Sequence, residues 1–409
     1  MSGVEASAAL RSMSISVLGV PFRVVFGSGI SLDDATRITA SWASCSAEHD
    51  PEAREVVAEV GIATGTSPVT GIHVRGGSIE QLEETLTSTL TIEAIGERRE
   101  DLLMLHACGM ANDDGRVLAF VAASGTGKTT ISRALGTRYG YITDETVAVM
   151  PDGRVIPYPK PLSVKPLTGT APKSQLAPDS LALLPVPETP LVLAGVVLLE
   201  RRDPGEVARF EQVDPVKAIE DLVPQTSYLS ARKRPITDLV QRLTDLGGVR
   251  RLVYSEAAEV VGLVEELFSS LGDEAPAAWR EIRALPLEPP APVAAPEPGV
   301  TLIARAPTHD ALALPDGELL VFCHNQLVRL SGIGPSLWRH AGAGITSSDL
   351  VKAVRAEVGA PPPGIDPEVV VAAALDELEQ LGIIVRKSLQ GRHCEHLRRD
   401  HSQTDPRVV

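Results

Sequence analysis

The stretch FVAASGTGKTTISRALGTRYGYITDET, from Phe120 to Thr146, decides the fold. Its apolar start predicts a strand, its glycines a tight turn, and the residues after Gly127 a helix followed by a second strand. Residues 122–129 match the phosphate-loop pattern G-x-x-x-x-G-K-[ST] at every place but the first, where Ala122 replaces glycine. A strand before this pattern and a helix after it are the context in which the pattern binds nucleotides. The sequence therefore predicts an α/β nucleotide-binding core.

The loop residues supply groups for binding a nucleotide triphosphate. Small residues let backbone N–H groups face the phosphates, Lys128 can reach the β- and γ-phosphates, and the Thr129 hydroxyl can ligate Mg²⁺. The positive end of the following helix favours the same anion. ATP and Mg²⁺ are thus the expected cofactors, although a chance glycine turn or a loop that no longer binds nucleotide stays open. The predicted nucleotide-binding residues are Ala123, Ser124, Gly125, Thr126, Gly127, Lys128, Thr129 and Thr130.

Two acids end the strand that follows the loop helix. Asp144 and Glu145 are placed to face the metal and the γ-phosphate, so one can hold Mg²⁺ and the other can take a proton from an attacking hydroxyl. We expect Asp144 to share the metal with Thr129, but which acid is the base stays open, as does a plain acidic turn. His106 precedes the loop strand and is either a site residue or a packed core histidine.

Several basic residues are further candidates for phosphate binding. Lys160 and Lys165 lie in PYPKPLSVKP, and either can neutralise phosphate charge or be an ordinary surface lysine. Arg232, Lys233 and Arg234 form a run that is either a mobile clamp or a solvated face.

The composition excludes several classes of protein. The 409 residues carry a net charge of -15 and only 3% aromatic side chains, which disfavours binding to nucleic acids or to an anionic membrane. The four cysteines are far apart, which argues against a disulfide framework. The first residues lack the basic start and apolar core of a signal peptide, and no apolar run reaches the roughly 18 residues of a membrane helix. We expect a cytoplasmic protein.

Composition shifts divide the chain. Residues 1–95 are predicted to form an N-terminal α+β lobe, and residues 96–271 the nucleotide-binding domain. A Pro/Ala-rich linker is expected at 272–299. A second domain is expected at 300–390, and a disordered tail at 391–409. The tail contains a His/Cys cluster whose spacing fits no closed zinc site.

The segments HACGM, DDGRVLAFVAASGTGKTTISRAL and GYITDETVAV resemble the HPr kinase/phosphorylase family, which shares a core with phosphoenolpyruvate carboxykinase. The resemblance assigns site roles to His106, to the loop from Ser124 to Thr129, and to Asp144. Glu145 stands where the family has a second Asp. The resemblance implies that these acids activate a serine hydroxyl on a protein or peptide, and that the protein is a homo-oligomer.

The C-terminal segment HDALALPDGELLVFCHNQLVRLSGIGPSLWRHA resembles PqqD-like peptide-recognition domains, which are winged-helix-like modules of three strands and three helices. Such domains bind the leader of a precursor peptide, which adds a strand to a sheet edge. The alternative is that the apolar residues here, Trp338 included, are core. A DNA-binding role is disfavoured by the acidic residues Asp376, Glu377 and Glu379. The expected peptide-binding residues are Leu327, Val328, Arg329, Leu330, Val369, Ala372 and Leu375, with Leu378 on the same helix face.

These parts together predict an ATP-dependent kinase that phosphorylates Ser or Thr in a ribosomally synthesised peptide and recruits the precursor through its leader. Other peptide-modifying enzymes of the same pathway are candidate partners. The second hypothesis is a scaffold whose nucleotide site is silent or regulatory and which presents the leader to a separate enzyme. A small-molecule kinase is a third hypothesis, but it leaves the C-terminal domain unexplained.

Overall fold

The computed structural model describes residues 11–61, 71–123, 125–165, 172–272, 274–287, 300–342 and 344–388. The chain divides into two compact units. Unit 1 takes Met1–Leu285, His309–Asp316 and Asn325–Leu327, and unit 2 takes Pro286–Thr308, Gly317–His324 and Val328–Val409. Within the described residues, no helix is both long enough and apolar enough to cross a bilayer.

In the residues that the structure describes, unit 1 begins with a four-stranded sheet and two helices. The strands are β1 (Ser12–Val17), β2 (Val20–Phe26), β3 (Arg54–Val60) and β4 (Ile72–Gly76), and the helices are α1 (Leu32–Ser41) and α2 (Ile79–Glu97). The strand order is β1-β2-β3-β4, with an antiparallel pair followed by two parallel pairs. The Ser78 hydroxyl accepts a hydrogen bond from the Gln81 N–H and caps the start of α2.

The core of this N-terminal part extends beyond its predicted boundary at residue 95. Phe22 and Leu86 are fully buried in a cluster that also contains Met104, Ala148 and Tyr158 from the following region. The N-terminal sheet therefore shares a hydrophobic core with the strands that contain Met104 and Ala148 and with the segment that contains Tyr158.

A nine-stranded sheet forms the centre of unit 1. The strands from here to residue 254 are β5 (Leu103–Ala111), β6 (Arg116–Val121), β7 (Gly140–Thr143), β8 (Thr146–Val149), β9 (Val155–Ile156), β10 (Leu162–Val164), β11 (Ser174–Leu176), β12 (Val192–Arg201), β13 (Arg209–Gln212), β14 (Thr226–Ser227) and β15 (Val249–Tyr254). The sheet order is β13-β15-β12-β6-β5-β8-β9, with β7 and β14 also paired to β5. Its middle strands β6, β12 and β15 are parallel, whereas β5 runs antiparallel to β6. β10 and β11 form a separate hairpin pair.

The helices of this region are α3 (Lys128–Leu135), α4 (Pro215–Leu222), α5 (Pro235–Asp245) and α6 (Val260–Ser269). α3 follows β6 directly after the glycine turn and packs its apolar residues Ile131 and Leu135 into the core. The predicted strand–turn–helix–strand order from Phe120 to Thr146 and the α/β fold class are confirmed.

Part of the stretch predicted as an extended linker is folded. A short helix, α7 (Ala277–Glu281), buries Trp279, and β16 (Arg283–Ala284) pairs antiparallel with β18 (Asp310–Ala313). Burial of Trp279 removes a large apolar surface from water and so favours the folded conformation of this part of the segment. Residues 288–299, the rest of this stretch, lie outside the described residues, as does the predicted tail at 391–409.

The described part of unit 2 contains short strands and three helices. Its elements are β17 (Thr301–Arg305), β19 (Leu319–Cys323), β20 (Gln326–Leu330), α8 (Gly334–His340), β21 (Ile345–Thr346), α9 (Ser347–Val358), α10 (Pro367–Gln380) and β22 (Ile384–Ser388), of which β20 begins in unit 1. β17 is the middle strand of an antiparallel sheet with β21 and β22. Trp338 is 2% exposed and the Arg305 guanidinium lies 4.5 Å from its ring centre, so Trp338 is a core residue.

Candidate nucleotide site

The described residues of the loop between β6 and α3 form a tight glycine turn. Gly125 and Gly127 adopt left-handed conformations with φ of 82° and 101°, which residues with a Cβ rarely adopt. The Thr126 hydroxyl donates a hydrogen bond to the Ala123 carbonyl at 2.6 Å and closes the turn. Ser124 lies outside the described residues.

Backbone donors are available where the loop enters α3. The first N–H groups of a helix have no intrahelical partner, and the helix dipole places partial positive charge there. Gly127 caps α3 without a side chain, and Gly125, Thr126 and Thr130 are exposed. An anion can therefore approach the backbone N–H groups of this loop. The predicted nucleotide-binding residues Ala123, Gly125, Gly127 and Thr129 are among those that carry them.

Lys128 is buried against its own loop. Its side chain donates hydrogen bonds from Nζ to the carbonyl oxygens of Ala122 at 2.6 Å and Ala123 at 3.1 Å, and the residue is 7% exposed. Burial lowers the pKa of the Lys128 ammonium. To contact a phosphate, the Lys128 ammonium must break its hydrogen bonds to these two carbonyl oxygens and form new ones to phosphate oxygens.

Asp144 lies beside the loop helix and is nearly enclosed. The Thr129 hydroxyl donates to its Oδ2 at 3.3 Å, and the Tyr141 hydroxyl donates to its Oδ1 at 3.2 Å. The Lys160 ammonium lies 2.8 Å from the same Oδ1, and the Asp144 side chain is 3% exposed. The fold thus joins Thr129 and Asp144, the two residues predicted to share a metal, across 15 positions of sequence.

Glu145 is the more accessible acid. Its side chain is 36% exposed and lies 3.2 Å from the Lys160 ammonium. The turn between β7 and β8 is fixed by Thr143, whose hydroxyl oxygen accepts hydrogen bonds from the N–H groups of Glu145 and Thr146. Consecutive acids therefore differ in exposure, with Asp144 held inside and Glu145 reaching toward solvent.

Lys160 is the residue whose burial was hardest to predict from the sequence. It is 1% exposed and bridges both acids, so its interpretation as a surface lysine is wrong. Burial alone would lower the pKa of Lys160, but the charges of Asp144 and Glu145 outweigh it and raise that pKa. Its position between prolines in an apolar segment was a weak signal of burial. Lys165, five residues later, is exposed.

His106 lies on β5 opposite Thr146, the residue after Glu145. Burial, and next the charge of Lys128, lower the pKa of His106, so the imidazole is neutral at pH 7. The structure thus places His106 next to the turn that carries the two acids, and its imidazole is largely buried.

The basic run at 232–234 is not a single exposed cluster, because its three side chains differ in exposure. The Arg232 side chain is 12% exposed and lies 4.0 Å from Asp238. Lys233 and Arg234 are exposed, and Arg234 precedes α5 in a left-handed conformation with φ of 49°.

The oxygen atoms of Thr129 and Asp144 fit Mg²⁺, which prefers oxygen ligands and keeps several waters and phosphate oxygens. Throughout the described ranges, no group of three or more His, Cys, Asp or Glu is placed to hold a metal by itself. The His/Cys cluster of the tail falls outside those ranges: it consists of His393, Cys394, His396 and His401.

The strand predicted to bind peptide is β20. Within the described part of the chain it pairs with β19 alone, which leaves its other edge open. Leu327 is half-buried, whereas Val328 and Leu330 are buried at 9% and 3% exposure. Arg329 is exposed and forms an ion pair with Glu318.

The predicted helix residues divide between the surface and the core of unit 2. On α10, Val369 is 64% exposed and Ala372 is also exposed. Leu375 and Leu378 are buried at 1% and 5% exposure, because the helix turns that side toward the core. Leu375 is therefore unavailable to a docking peptide in this structure.

No protein-family model matches the chain, and no curated protein matches it. Among solved structures, the chain is similar to the Hpr(Ser) kinase/phosphatase from Coxiella burnetii, with 14% identity and a TM-score of 0.20. The match covers 41% of this chain and 93% of that one. The TM-score of this match is low, so the match assigns no role to any residue of the site.

Proposed function

We propose that this chain is an ATP-dependent kinase that phosphorylates a hydroxyl group of a peptide. The observation that carries the proposal is the contact at 3.3 Å between the Thr129 hydroxyl and Asp144, directly after a glycine turn with Lys128 at the start of its helix. A phosphate cradle and a metal-binding pair then lie on neighbouring elements, as phosphoryl transfer requires.

In the proposed reaction, an oxygen of the peptide hydroxyl forms a bond to the γ-phosphorus of ATP. The bond from that phosphorus to the β–γ bridging oxygen breaks, and ADP leaves. The loop N–H groups bind the phosphates, and Lys128 stabilises charge on the transferring group. Mg²⁺, held by Thr129 and Asp144, would neutralise phosphate charge when bound.

Glu145 is the base in this proposal. The proton of the attacking hydroxyl must reach a carboxylate that substrate can contact, and the Glu145 side chain is 36% exposed whereas Asp144 is 3% exposed. Asp144 already accepts hydrogen bonds from Thr129 and Tyr141, which suits a metal ligand. Lys160 compensates the charge of both acids and fixes their positions.

The peptide class is proposed from the C-terminal unit. An open edge on β20 suits an added strand, and the exposed side chains of Val369 and Ala372 offer apolar contacts on α10. Together with the resemblance to PqqD-like domains, these features support recruitment of a ribosomally synthesised precursor through its leader.

Intact-mass measurement tests the proposal. A candidate precursor peptide is incubated with the chain and Mg-ATP, with a leaderless version of the same peptide alongside. We expect one added phosphate on the full peptide, little on the leaderless one, and none with Lys128→Ala. Tight binding of a full peptide with no mass change would exclude the kinase for that peptide.

A scaffold with a silent nucleotide site is the second candidate. It is favoured by the hydrogen bonds of Lys128 to its own loop and by the neutralisation of Asp144 by Lys160, since the site is satisfied without nucleotide. Under this hypothesis Lys128→Ala leaves modification by a partner enzyme unchanged. Under the kinase hypothesis that variant abolishes modification while leader binding persists.

A further inference from the structure

A second cleft in unit 1 has a volume of about 520 Å³ and shares no lining residue with the phosphate loop, Asp144, Glu145 or Lys160. Its walls include the apolar residues Leu103, Leu239 and Leu246. Binding sites for small molecules have volumes of roughly 300–1,000 Å³ and combine such walls with a few charged groups. The cleft therefore has the size and lining of a ligand site.

Two arginines line this cleft. The Arg232 side chain is 12% exposed, and its ion pair with Asp238 spans 4.0 Å. No closer partner of this guanidinium occurs among the described residues, although buried guanidinium groups are normally hydrogen-bonded. Arg242 is half-buried and donates from Nη2 to the carbonyl oxygens of Met150 and Pro151 at 3.2 and 2.8 Å.

Both guanidinium groups line the same cleft. Burial, and next the charge of Arg232, lower the pKa of Arg242. A carboxylate matches the planar guanidinium, so these two groups can bind a carboxylate that enters the cleft.

Acidic residues line the same cleft. Asp152 is paired with Arg154 at 2.6 Å, and the Asp245 carboxylate accepts a hydrogen bond from the Gln241 amide at 2.9 Å. Asp238 has its carboxylate 54% exposed. A dianion such as phosphate would be repelled by Asp238 and Asp245. A ligand that carries an ammonium group beside its carboxylate would instead be attracted both to the arginines and to the aspartates.

We propose that this cleft binds a small zwitterion of the α-amino-acid class. The carboxylate of the ligand contacts Arg232 and Arg242, and its ammonium group faces Asp238, whose carboxylate lies 4.0 Å from the Arg232 guanidinium. The apolar residues accommodate the ligand side chain. The proposal is independent of the kinase function, because no phosphate-loop residue takes part.

Calorimetric titration of the full chain tests the site, with each of the twenty free amino acids, acetate and inorganic phosphate as separate probes. We expect at least one amino acid to bind, and Arg232→Gln to weaken it at least tenfold. Lys233→Gln, the same loss of charge at an exposed neighbour, should leave the affinity unchanged. Asp238→Asn should weaken the amino acid but not acetate.

Several outcomes would overturn the proposal. These are the absence of binding heat with every amino acid, equal affinity of Arg232→Gln and the wild type, and binding of phosphate with no amino acid bound. Arg232 is the primary target because Arg242 also holds backbone carbonyls and its loss can unfold the region. Thermal melting of each variant verifies folding, and Lys128→Ala should keep the binding.

Discussion

The phosphate loop and the acid cluster meet at Thr129 but are built in opposite ways. The loop is a run of neighbouring residues whose glycines take left-handed conformations and leave backbone donors exposed. The acid cluster, formed by Asp144, Glu145 and Lys160, consists of charges that are buried or partly buried and compensate one another. The turn of the loop is thus encoded locally, whereas the charge balance of the two acids depends on residues that only the fold brings together.

The sharpest test compares the two acids. Glu145→Gln should reduce phosphate transfer about 10²- to 10⁴-fold, since it removes the proposed base, while affinity for ATP with Mg²⁺ stays near that of the wild type. Asp144→Asn should instead weaken the dependence on Mg²⁺. Steady-state kinetics over a range of Mg²⁺ concentrations measures both. The assignment fails if Glu145→Gln retains full turnover or if the two variants exchange these effects.

Removing the central cation tests the acid cluster alone. Lys160→Met leaves Asp144 buried without its cation, and we expect it to lower the free energy of unfolding by about 3 kcal/mol. Urea denaturation measures the loss, with Lys165→Met, an exposed lysine of the same segment, as the control. Adding Asp144→Asn to Lys160→Met should recover part of the stability. Equal stability of the two lysine variants would show that the cluster contributes little.

The loop is tested through its backbone. Gly127→Ala places a Cβ in a left-handed conformation, 3.4 Å from the Tyr254 hydroxyl, and should cost about 1–2 kcal/mol of unfolding free energy. Gly96→Ala, in the helix α2 with open space around it, should stabilise by about 0.5–1 kcal/mol. Thermal denaturation of both variants separates them. Similar shifts in the two melting temperatures would contradict the left-handed loop.

The smallest expected effect concerns His106 and pH. The pKa of His106 is lowered in the folded state. At pH values near and below 6.5, the ordinary pKa of histidine, the unfolded state therefore binds more protons than the folded state. Stability should therefore fall as pH drops below about 6.5, and His106→Gln should remove part of that fall. Urea midpoints at pH 7.5 and 5.5 measure the difference. An unchanged pH dependence in the variant would place His106 in a solvated setting.

Much of the loop was predictable because its information is short-range. The strand before Gly125, the helix from Lys128 and the next strand follow from apolar periodicity and glycine positions. The same local signals identified Asp144 as a candidate for the metal pair. The partners of Asp144 were not predictable, since Tyr141, Thr129 and Lys160 meet only after β7, α3 and the segment following β9 have packed.

The sequence predicts that Val369, Ala372 and Leu375 lie on one helix, and the structure contains that helix as α10. The prediction that Leu375 is available to a peptide is wrong, since Leu375 is buried whereas Val369 and Ala372 are exposed. The three residues are all apolar, and only the side of the helix that packs on the core distinguishes them. The buried Trp279 likewise shows that a proline-rich composition does not exclude packing when one aromatic side chain finds a pocket.

The sequence by itself determined the phosphate loop, the α/β order around it and the presence of two acids after the next strand, because each depends on neighbours a few residues apart. Only the tertiary structure decided that Lys160 is buried between those acids, that Glu145 is the accessible one, and that Arg232 turns into a separate cleft. Burial and ion pairing depend on distances across the fold, and residue types alone do not specify those distances.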